Sequence, residues 1–536
     1  MFGDELARLG RGICISFLTS FMADKLIATA STFGNDRICA VVAALNARDA
    51  LRQLRRALKS TRTVELRLDW LRDGTERHRF LAALNNLRPS ATIIATCRHR
   101  DAGGRFDGPA ATQLALLGSA LRAGCRWCDL EVEALSRISG FALALHLRRG
   151  NWILSWHNFG RPQSEKSLRV RMSALESIRA KYGLAAIKIA SQCESLSDAL
   201  RVLRLARGAR NVIAVPMGDA ATPARILALR EGSALAYAPV EAATAPGQLS
   251  LGEMKNLYRA ARLGRHTRVY GVIGHPIAHS LSPHLHNAGF HARRVNAVYL
   301  PFDVEDLRDF LAALDPLGIR GFSITLPHKQ AILRHLGGCD PLAAAIGAVN
   351  TVVVRDGGKL FGYNTDYVGV LRALERRIPL RGSRVLIFGA GGAARAVAFA
   401  LQSAGASVAV CARRPARARK LARAVHGEFV PRSALRREFF DAIVNATPVG
   451  MSPREDASPL DARELNCRLV FDLIYRPRET KLLKLAARRG IERVSGLEMF
   501  LAQGIAQWEI WMGERAPEKP MRAAVIEALR REESAN

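Results

Sequence analysis

Ala245-Pro-Gly-Gln-Leu-Ser250 and, downstream, Gly274-His-Pro-Ile-Ala-His-Ser-Leu-Ser-Pro283 bracket the stretch that decides how this chain is organised. The Ala-Pro-Gly-Gln turn closes whatever precedes it. A short helical segment follows, Leu251 to Leu263, and then a polar basic joint, Gly264-Arg-His-Thr-Arg268. Val269-Tyr-Gly-Val-Ile273 opens a fresh apolar strand. A turn, a polar joint and a new buried strand mark a domain boundary. The chain reads as two halves of similar length.

Upstream of the joint, short apolar strands alternate with Arg/Leu/Ala-rich helical segments. Strands are expected at Ile38–Val42, Thr63–Leu68, Thr92–Thr96, Trp127–Val132, Trp152–Ser155, Ala186–Ile189, Val212–Val215 and Ala234–Ala238. Helical apolar spacing fills the gaps. This alternation predicts an α/β fold, a (βα)8 TIM barrel over residues 36–255, in which polar groups at strand C-termini are the catalytic candidates. Glu65, Arg67 and Asp69 alternate and leave one face of the second strand. Arg98 ends the third strand and His157 follows the fifth, while Arg225, Thr244 and Gln248 come near the last two. Lys188 sits between Ile187 and Ile189. Burial disfavours the ammonium and favours the free amine, a nucleophile toward ketones. A structural pairing with Glu65 or Glu131 is the bland alternative.

The length of 536 residues exceeds one ordinary core, so two or three domains are expected. The net charge of +31 suggests nucleic acid. The arginines, however, are scattered over every helical segment rather than gathered in a stripe, which argues against that partner and fits attraction of small anions. No apolar run is long enough to span a membrane. The nine cysteines are irregularly spaced, and Cys125-Arg-Trp-Cys128 has no second ligand pair for zinc. Residues 1–35 read as a floppy N-terminal extension, with Met22 an alternative start.

Five ordered motifs, Glu65-Leu-Arg-Leu-Asp69, Arg98 with Gly103-Gly104, Ser155-Trp-His157-Asn-Phe, Ile187-Lys188-Ile189-Ala190 and Ala245-Pro-Gly-Gln248, resemble type I 3-dehydroquinate dehydratases. The resemblance implies a Schiff base on Lys188 and proton transfer by His157. It also implies carboxylate binding by Arg225, and hydroxyl and carboxylate contacts from Glu65, Arg67, Arg98, Thr244 and Gln248. One departure matters: Ala102 stands where that family usually has the Glu that supports the catalytic His, with Asp101 and Glu131 as the available substitutes. Thr244 replaces the usual Ser and keeps a hydroxyl.

Beyond the joint, residues 268–372 read as a smaller α/β domain onto which 502–536 pack back, with 256–267 as linker and 373–501 as a nucleotide-binding domain. Ser282 is expected at a helix N-cap with Pro283 at N1. Arg384-Val-Leu-Ile-Phe388 is a strand, Gly389-Ala390-Gly391-Gly392-Ala393-Ala394 a tight turn, and Arg395 onward a helix. G-x-G-x-x-A in strand–turn–helix context is a Rossmann dinucleotide fingerprint. After the next strand stand Arg413 and Arg414, with Arg417 one turn on, where NAD sites carry a carboxylate. Cations there imply a 2′-phosphate, hence NADP.

Ser280-Leu-Ser282-Pro283, Ser323-Ile-Thr325-Leu-Pro-His-Lys329, Ala348-Val-Asn350-Thr351, Asn364-Thr365-Asp366, Asn445-Ala-Thr447-Pro-Val-Gly-Met451, Asp472-Leu-Ile-Tyr475 and Gly496 through Gln503 resemble shikimate dehydrogenase. This implies a two-lobed unit with Lys329 and Asp366 as catalytic pair. Ser280, Ser282 and Tyr475 would hold the substrate carboxylate. Thr325, Asn350, Asp366 and Gln503 would hold ring hydroxyls, and Asn445, Thr447, Met451 and Gly496 would line the nicotinamide side. The expected function is dehydration of 3-dehydroquinate to 3-dehydroshikimate and NADPH-dependent reduction to shikimate. A quinate/shikimate dehydrogenase half acting alone and a non-catalytic basic nucleic-acid binder are the rivals. The expected location is the cytoplasm, with a homodimer left open.

Overall fold

The computed structural model describes residues 33–34, 36–138, 140–209, 211–241 and 248–535. Thr244, Met22 and nearly all of the expected extension lie outside them. Phe33 does not belong to an extension: it is buried, stacks on Trp127 with ring centroids 4.0 Å apart, and is part of the barrel core. The chain divides into two compact units, one ending at Thr267 with Arg308–Ala313 grouped with it, the other made of Arg268–Leu307 and Leu314–Asn536.

The first unit is a parallel sheet of β1 (Ile38–Val42), β2 (Thr63–Arg67), β3 (Thr92–Thr96), β4 (Trp127–Glu131), β5 (Asn151–Asn158), β6 (Ala186–Gln192), β7 (Val212–Met217) and β8 (Ala236–Pro239). Its order, β7-β6-β5-β4-β3-β2-β1-β8, is that of a barrel. No ladder among the described residues joins β7 to β8. Two bonds bridge the gap instead: Ala234 N–H to Val212 O at 2.8 Å and Ala214 N–H to Ser233 Oγ at 3.1 Å. The strands are apolar because both faces are covered. The helices between them start where the sequence supplies caps. Asn46 accepts from Asp49 N–H before the helix Ala47–Leu58, and Ser164 accepts from Ser167 N–H before Glu165–Tyr182. β5 is longer than the sequence suggests, so His157 lies inside it rather than after it, paired in register with Ala190, two positions beyond Ser155 opposite Lys188.

The second unit contains two sheets. The first has β9 (Arg268–Gly274), β10 (Ala297–Asp303), β11 (Ile319–Ile324), β12 (Gly338–Cys339), β13 (Thr351–Val354) and β14 (Leu360–Tyr363), in the order β10-β9-β11-β13-β14-β12. β13 and β14 form an antiparallel hairpin. The helix Ser282–Arg293 begins differently from the expectation. Leu281 holds the N-cap and Ser282 is the first helical residue, its hydroxyl bonded to Tyr299 rather than to the helix end. Helices Gly496–Met512 and Glu518–Ala535 pack here, burying Trp508, Met521 and Val525 with Tyr270, Leu285 and Phe290.

The other sheet is wholly parallel: β15 (Arg384–Phe388), β16 (Ser407–Cys411), β17 (Glu428–Phe429), β18 (Phe440–Asn445), β19 (Cys467–Asp472) and β20 (Glu492–Ser495). Its order, β17-β16-β15-β18-β19-β20, is the doubly wound dinucleotide topology. The helix Gly392–Ser403 leaves the end of β15, and Ala394, fully buried, lets it lie close on the sheet.

Candidate functional sites

In the barrel, the strand register gathers four buried charged groups. Lys188, on β6, points its Nζ at Glu65 Oε1 and Asp129 Oδ2, both at 3.2 Å, and lies 4.1 Å above the Tyr237 ring. Arg98 Nη2 meets Asp129 Oδ2 at 2.9 Å, and Arg98 Nη1 donates to Ser155 Oγ at 2.6 Å. Ser155 in turn donates to Asp129 Oδ1 at 2.6 Å, and Thr96 donates to Glu65 Oε1 at 2.8 Å. Burial opposes ionisation of Asp129, but Arg98 and Lys188 outweigh it and hold the carboxyl well below the usual carboxylate range. Lys188 is therefore not the isolated amine that its apolar strand neighbours suggest; it is one cation in a compensated cluster. Of the two partners expected from sequence, Glu65 is in contact and Glu131 is not, and the second partner is Asp129. The missed signal is that Asp129 and Glu131 sit two apart on β4 and so share a face.

His157 stands beside this cluster. Its Nδ1 is buried without a hydrogen-bond partner. Neither carboxylate considered as a substitute for the missing Glu supports it. Asp101 is more than half exposed and pairs with Arg137 at 3.2 Å and with His99. Glu131 accepts from His99 N–H at 2.8 Å and from Gln113 Nε2 at 2.6 Å. Burial, together with Arg98 and Lys188, pushes the His157 imidazole well below its ordinary range. The Phe159 ring stacks beside it, centroids 6.0 Å apart.

The other barrel residues are placed less uniformly. Arg67 is held bidentately by Asp69, at 2.9 and 2.8 Å. Arg225 lies on the helix Thr222–Leu227 and donates from Nε to Pro216 O at 2.8 Å, and burial lowers its guanidinium to about 10. Gln248 is half-buried.

In the second unit, Lys329 Nζ contacts Asp366 Oδ2 at 2.6 Å. Asn350 Nδ2 donates to Asp366 Oδ1 at 2.8 Å, so both carboxylate oxygens are engaged. Asn364 caps the helix Thr365–Glu375 by accepting from Asp366 N–H, which fixes Asp366 in the first turn. Asn350 Oδ1 accepts from Thr365 N–H at 2.7 Å, and Thr365 Oγ1 reaches Gln503 Oε1 at 3.5 Å. Ser282 N–H donates to Ser280 Oγ at 3.3 Å, and Tyr299 OH bridges Ser282 and Ser323. Tyr475 is half-buried against Phe500, and Thr325 is half-buried at the end of β11. Ser323 thus has a defined partner. His328 likewise gives its Nε2 to Val304 O at 2.6 Å.

The glycine-rich turn fits a pyrophosphate. Gly389 has φ +132°, and a Cβ there would stand 2.9 Å from Ala446 O. A Cβ on Gly391 or Gly392 would meet nothing within 4 Å, so space opens in front of the helix Gly392–Ser403, whose first N–H groups lack intrahelical acceptors. Ala390 is half-buried and Ala393 exposed. Arg413, Arg414 and Arg417 are exposed beyond β16 and make no ion pair among the described residues. They are free to take a phosphate. Asn445 is fully buried, donates to Asp472 Oδ1 at 2.9 Å and accepts from Thr447 N–H and Oγ1. Its side chain shapes the turn that carries Thr447 and the exposed Met451. At Gly496 a Cβ would lie 2.2 Å from Leu473 O, so only glycine permits the close approach.

A parallel barrel with a buried lysine at its centre and a doubly wound nucleotide fold with a separate Lys–Asp pair define an α/β enzyme with two active sites. The type I 3-dehydroquinase family matches residues 38–281. The shikimate dehydrogenase substrate-binding domain matches 272–352, and the shikimate 5′-dehydrogenase C-terminal domain matches 496–526. A chloroplastic bifunctional 3-dehydroquinate dehydratase/shikimate dehydrogenase of Arabidopsis thaliana is 33% identical over 478 residues, 85% of this chain and 78% of that protein. A shikimate dehydrogenase (NADP(+)) of Moorella thermoacetica is 46% identical over 278 residues, 49% of this chain and 94% of that protein. A crystal structure of a shikimate dehydrogenase in complex with NADP+ is 38% identical and covers 50% of this chain and 97% of that one, with a TM-score of 0.48. The chain belongs to the family of bifunctional 3-dehydroquinate dehydratase/shikimate dehydrogenases.

Proposed function

We propose that the barrel dehydrates 3-dehydroquinate to 3-dehydroshikimate and that the second unit reduces this product to shikimate with NADPH. The observation that carries the first step is Lys188, buried between Glu65 and Asp129. Nζ must lose a proton before it attacks the substrate ketone, and Glu65 Oε1 is an acceptor within reach. The carbonyl oxygen leaves as water. The resulting iminium keeps the positive charge that the carboxylates compensate, and it draws electrons from the neighbouring C–H bond. His157, held neutral, takes that proton and returns it to the departing hydroxyl, which leaves as a second water. Hydrolysis of the conjugated iminium consumes one water and frees Lys188. Arg225, Arg67, Arg98, Gln248 and Thr244 are the proposed substrate contacts.

In the second site, NADPH supplies the hydride when bound. Lys329 donates a proton to the developing alkoxide, and Asp366 holds its ammonium in place. Ser280, Ser282 and Tyr475 take the carboxylate, while Thr325, Asn350 and Gln503 read the hydroxyls. The glycine turn 389–394 and Arg413, Arg414 and Arg417 hold the cofactor phosphates, with Thr447, Met451 and Gly496 on the nicotinamide side. A barrel domain running from Phe33 to residue 255, domain limits of 268–372 and 373–501, a homodimer and a cytoplasmic location belong to the same proposal. Among the described residues no helix is long and apolar enough to cross a membrane. The test is a coupled assay. Purified chain given 3-dehydroquinate and NADPH should oxidise the cofactor and form shikimate, and borohydride trapping should add mass to Lys188. Cofactor oxidation with 3-dehydroshikimate but not with 3-dehydroquinate would remove the first activity.

A further inference from the structure

A line of buried hydrogen bonds leads away from the Lys329–Asp366 pair. Asp366 Oδ1 accepts from Asn350 Nδ2 at 2.8 Å, and Asn350 Oδ1 accepts from Thr351 Oγ1 at 2.8 Å. Thr351 Oγ1 accepts from Gln507 Nε2 at 3.1 Å, and Gln507 Oε1 lies 3.1 Å from His286 Nε2. All of Asn350, Thr351, Gln507 and His286 are buried, the last fully. One assignment of donors runs the whole length of the line. The amide oxygen of Gln507 cannot donate, so His286 carries its proton on Nε2. That leaves Nδ1 as a bare acceptor, and it is the ring nitrogen without a partner. Every donor in the line then points toward the Asp366 carboxylate. Burial drives the imidazole down to about 3, so the ring stays neutral.

His286 has a second contact. Its ring stacks on Tyr299 at 4.4 Å between centroids, and Tyr299 OH bridges Ser282 and Ser323. One imidazole therefore touches the group behind the proposed carboxylate pocket and begins the line that ends on the proposed proton donor's partner.

We propose that His286 and Gln507 are positioning residues for the reduction, fixing the amide orientation of Asn350 and through it the Asp366 carboxylate and Lys329. This rests on the reading of Lys329–Asp366 as the catalytic pair. Unidirectional donors in a low-dielectric interior reinforce one another. Asn350 can flip its amide only by turning a donor toward the Thr365 N–H and the Thr351 hydroxyl and an acceptor toward a carboxylate. The line adds to the hold of the Thr365 N–H as long as Gln507 keeps the hydroxyl proton of Thr351 directed at Asn350.

The experiment measures shikimate oxidation by full-length chain carrying His286→Phe, Gln507→Met, both together, and Lys329→Met. Phe keeps the stack on Tyr299 and Met keeps the volume of Gln, so each single change removes donors with little loss of packing. Each single variant should lower kcat by about fivefold to tenfold, the effect of one displaced hydrogen bond, with KM for shikimate changed less than twofold. Because the line acts in series, the double variant should be no slower than the slower single variant. Dehydratase activity in the same preparations reports that the chain is folded, and thermal melting of each variant checks the second unit. Unchanged kcat, equal changes in kcat and KM, or multiplying effects in the double variant would each overturn the proposal. The failures are separable. If Lys329→Met keeps wild-type activity, the reading of the catalytic pair fails; if it is inactive while Gln507→Met is normal, only the positioning role fails.

Discussion

Lys188 Nζ lies 3.2 Å from Asp129 Oδ2, and the same carboxylate receives Arg98 and Ser155. Asp129 is thus shared between the proposed nucleophile and a buried guanidinium. Replacing it by Asn leaves two cations facing Glu65 and Glu131 alone. Breaking a buried ionic pair on one side costs about 3–5 kcal/mol. Asp129→Asn should therefore lower urea stability by roughly that amount and slow dehydration strongly. The folded carboxyl is held below its unfolded value of about 3.9, so its contribution is complete above that pH and is lost as pH falls through the folded value. The difference in unfolding free energy between wild type and Asp129→Asn should be constant from about pH 5 to 8 and shrink below about pH 4. A difference that grows in acid would contradict the charge argument.

Lys188→Ala should abolish dehydration and leave shikimate oxidation within about twofold of wild type, since Lys188 and the Lys329–Asp366 pair belong to different compact units. The two initial rates, measured on one preparation, check this. Loss of both activities would mean that the units do not fold or act independently.

The strands of the barrel were legible because they are buried on both faces and read as apolar runs; β1 and β3 match their expected limits. The C-terminal ends of β5 and β6 were not, because His157, Asn158, Ser191 and Gln192 are polar and resemble a loop in sequence while they continue the ladder. The glycine turn 389–394 was legible because backbone geometry dictates residue type there. Asp129 was not, since a carboxylate between Cys128 and Leu130 announces no partner until β4 is placed beside β5. The His286–Gln507 bond joins residues 221 positions apart, beyond any local pattern. Asn445 matched its motif, yet its side chain is used to build the turn, a distinction that only the hydrogen bonds to Asp472 and Thr447 reveal.

His157 Nδ1 has no partner, and Ala102 occupies the place where a Glu is usual in the dehydratases that the barrel resembles. Burial and the neighbouring Arg98 and Lys188 depress the imidazole below about 6.5, so it remains a neutral base well into acid. The acid limb of dehydratase kcat/KM attributable to this group should accordingly fall well below pH of about 6.5. Ala102→Glu supplies a carboxylate that favours the imidazolium, and the limb should move upward. A profile unchanged by the substitution would show that residue 102 does not address His157.

Arg413 and Arg414 stand exposed where β16 ends, without ion pairs among the described residues, and Arg417 follows one turn later. A 2′-phosphate placed here would receive charge-assisted hydrogen bonds from guanidinium groups whose donors are otherwise free. The ribose of NAD offers only a hydroxyl at that position, and no carboxylate is supplied to accept from it. Changing Arg413 to Asp and Arg414 to Ser removes the cations and introduces the acceptor. Hydrogen bonds to charged groups contribute about 1.5–3 kcal/mol, so KM for NADP should rise at least tenfold. KM for NAD should fall or stay level, with kcat for shikimate oxidation little changed. Steady-state kinetics with each nucleotide measure the ratio directly. If the two KM values rise together, these arginines serve the general electrostatic field of a chain of net charge +31 and do not read the phosphate.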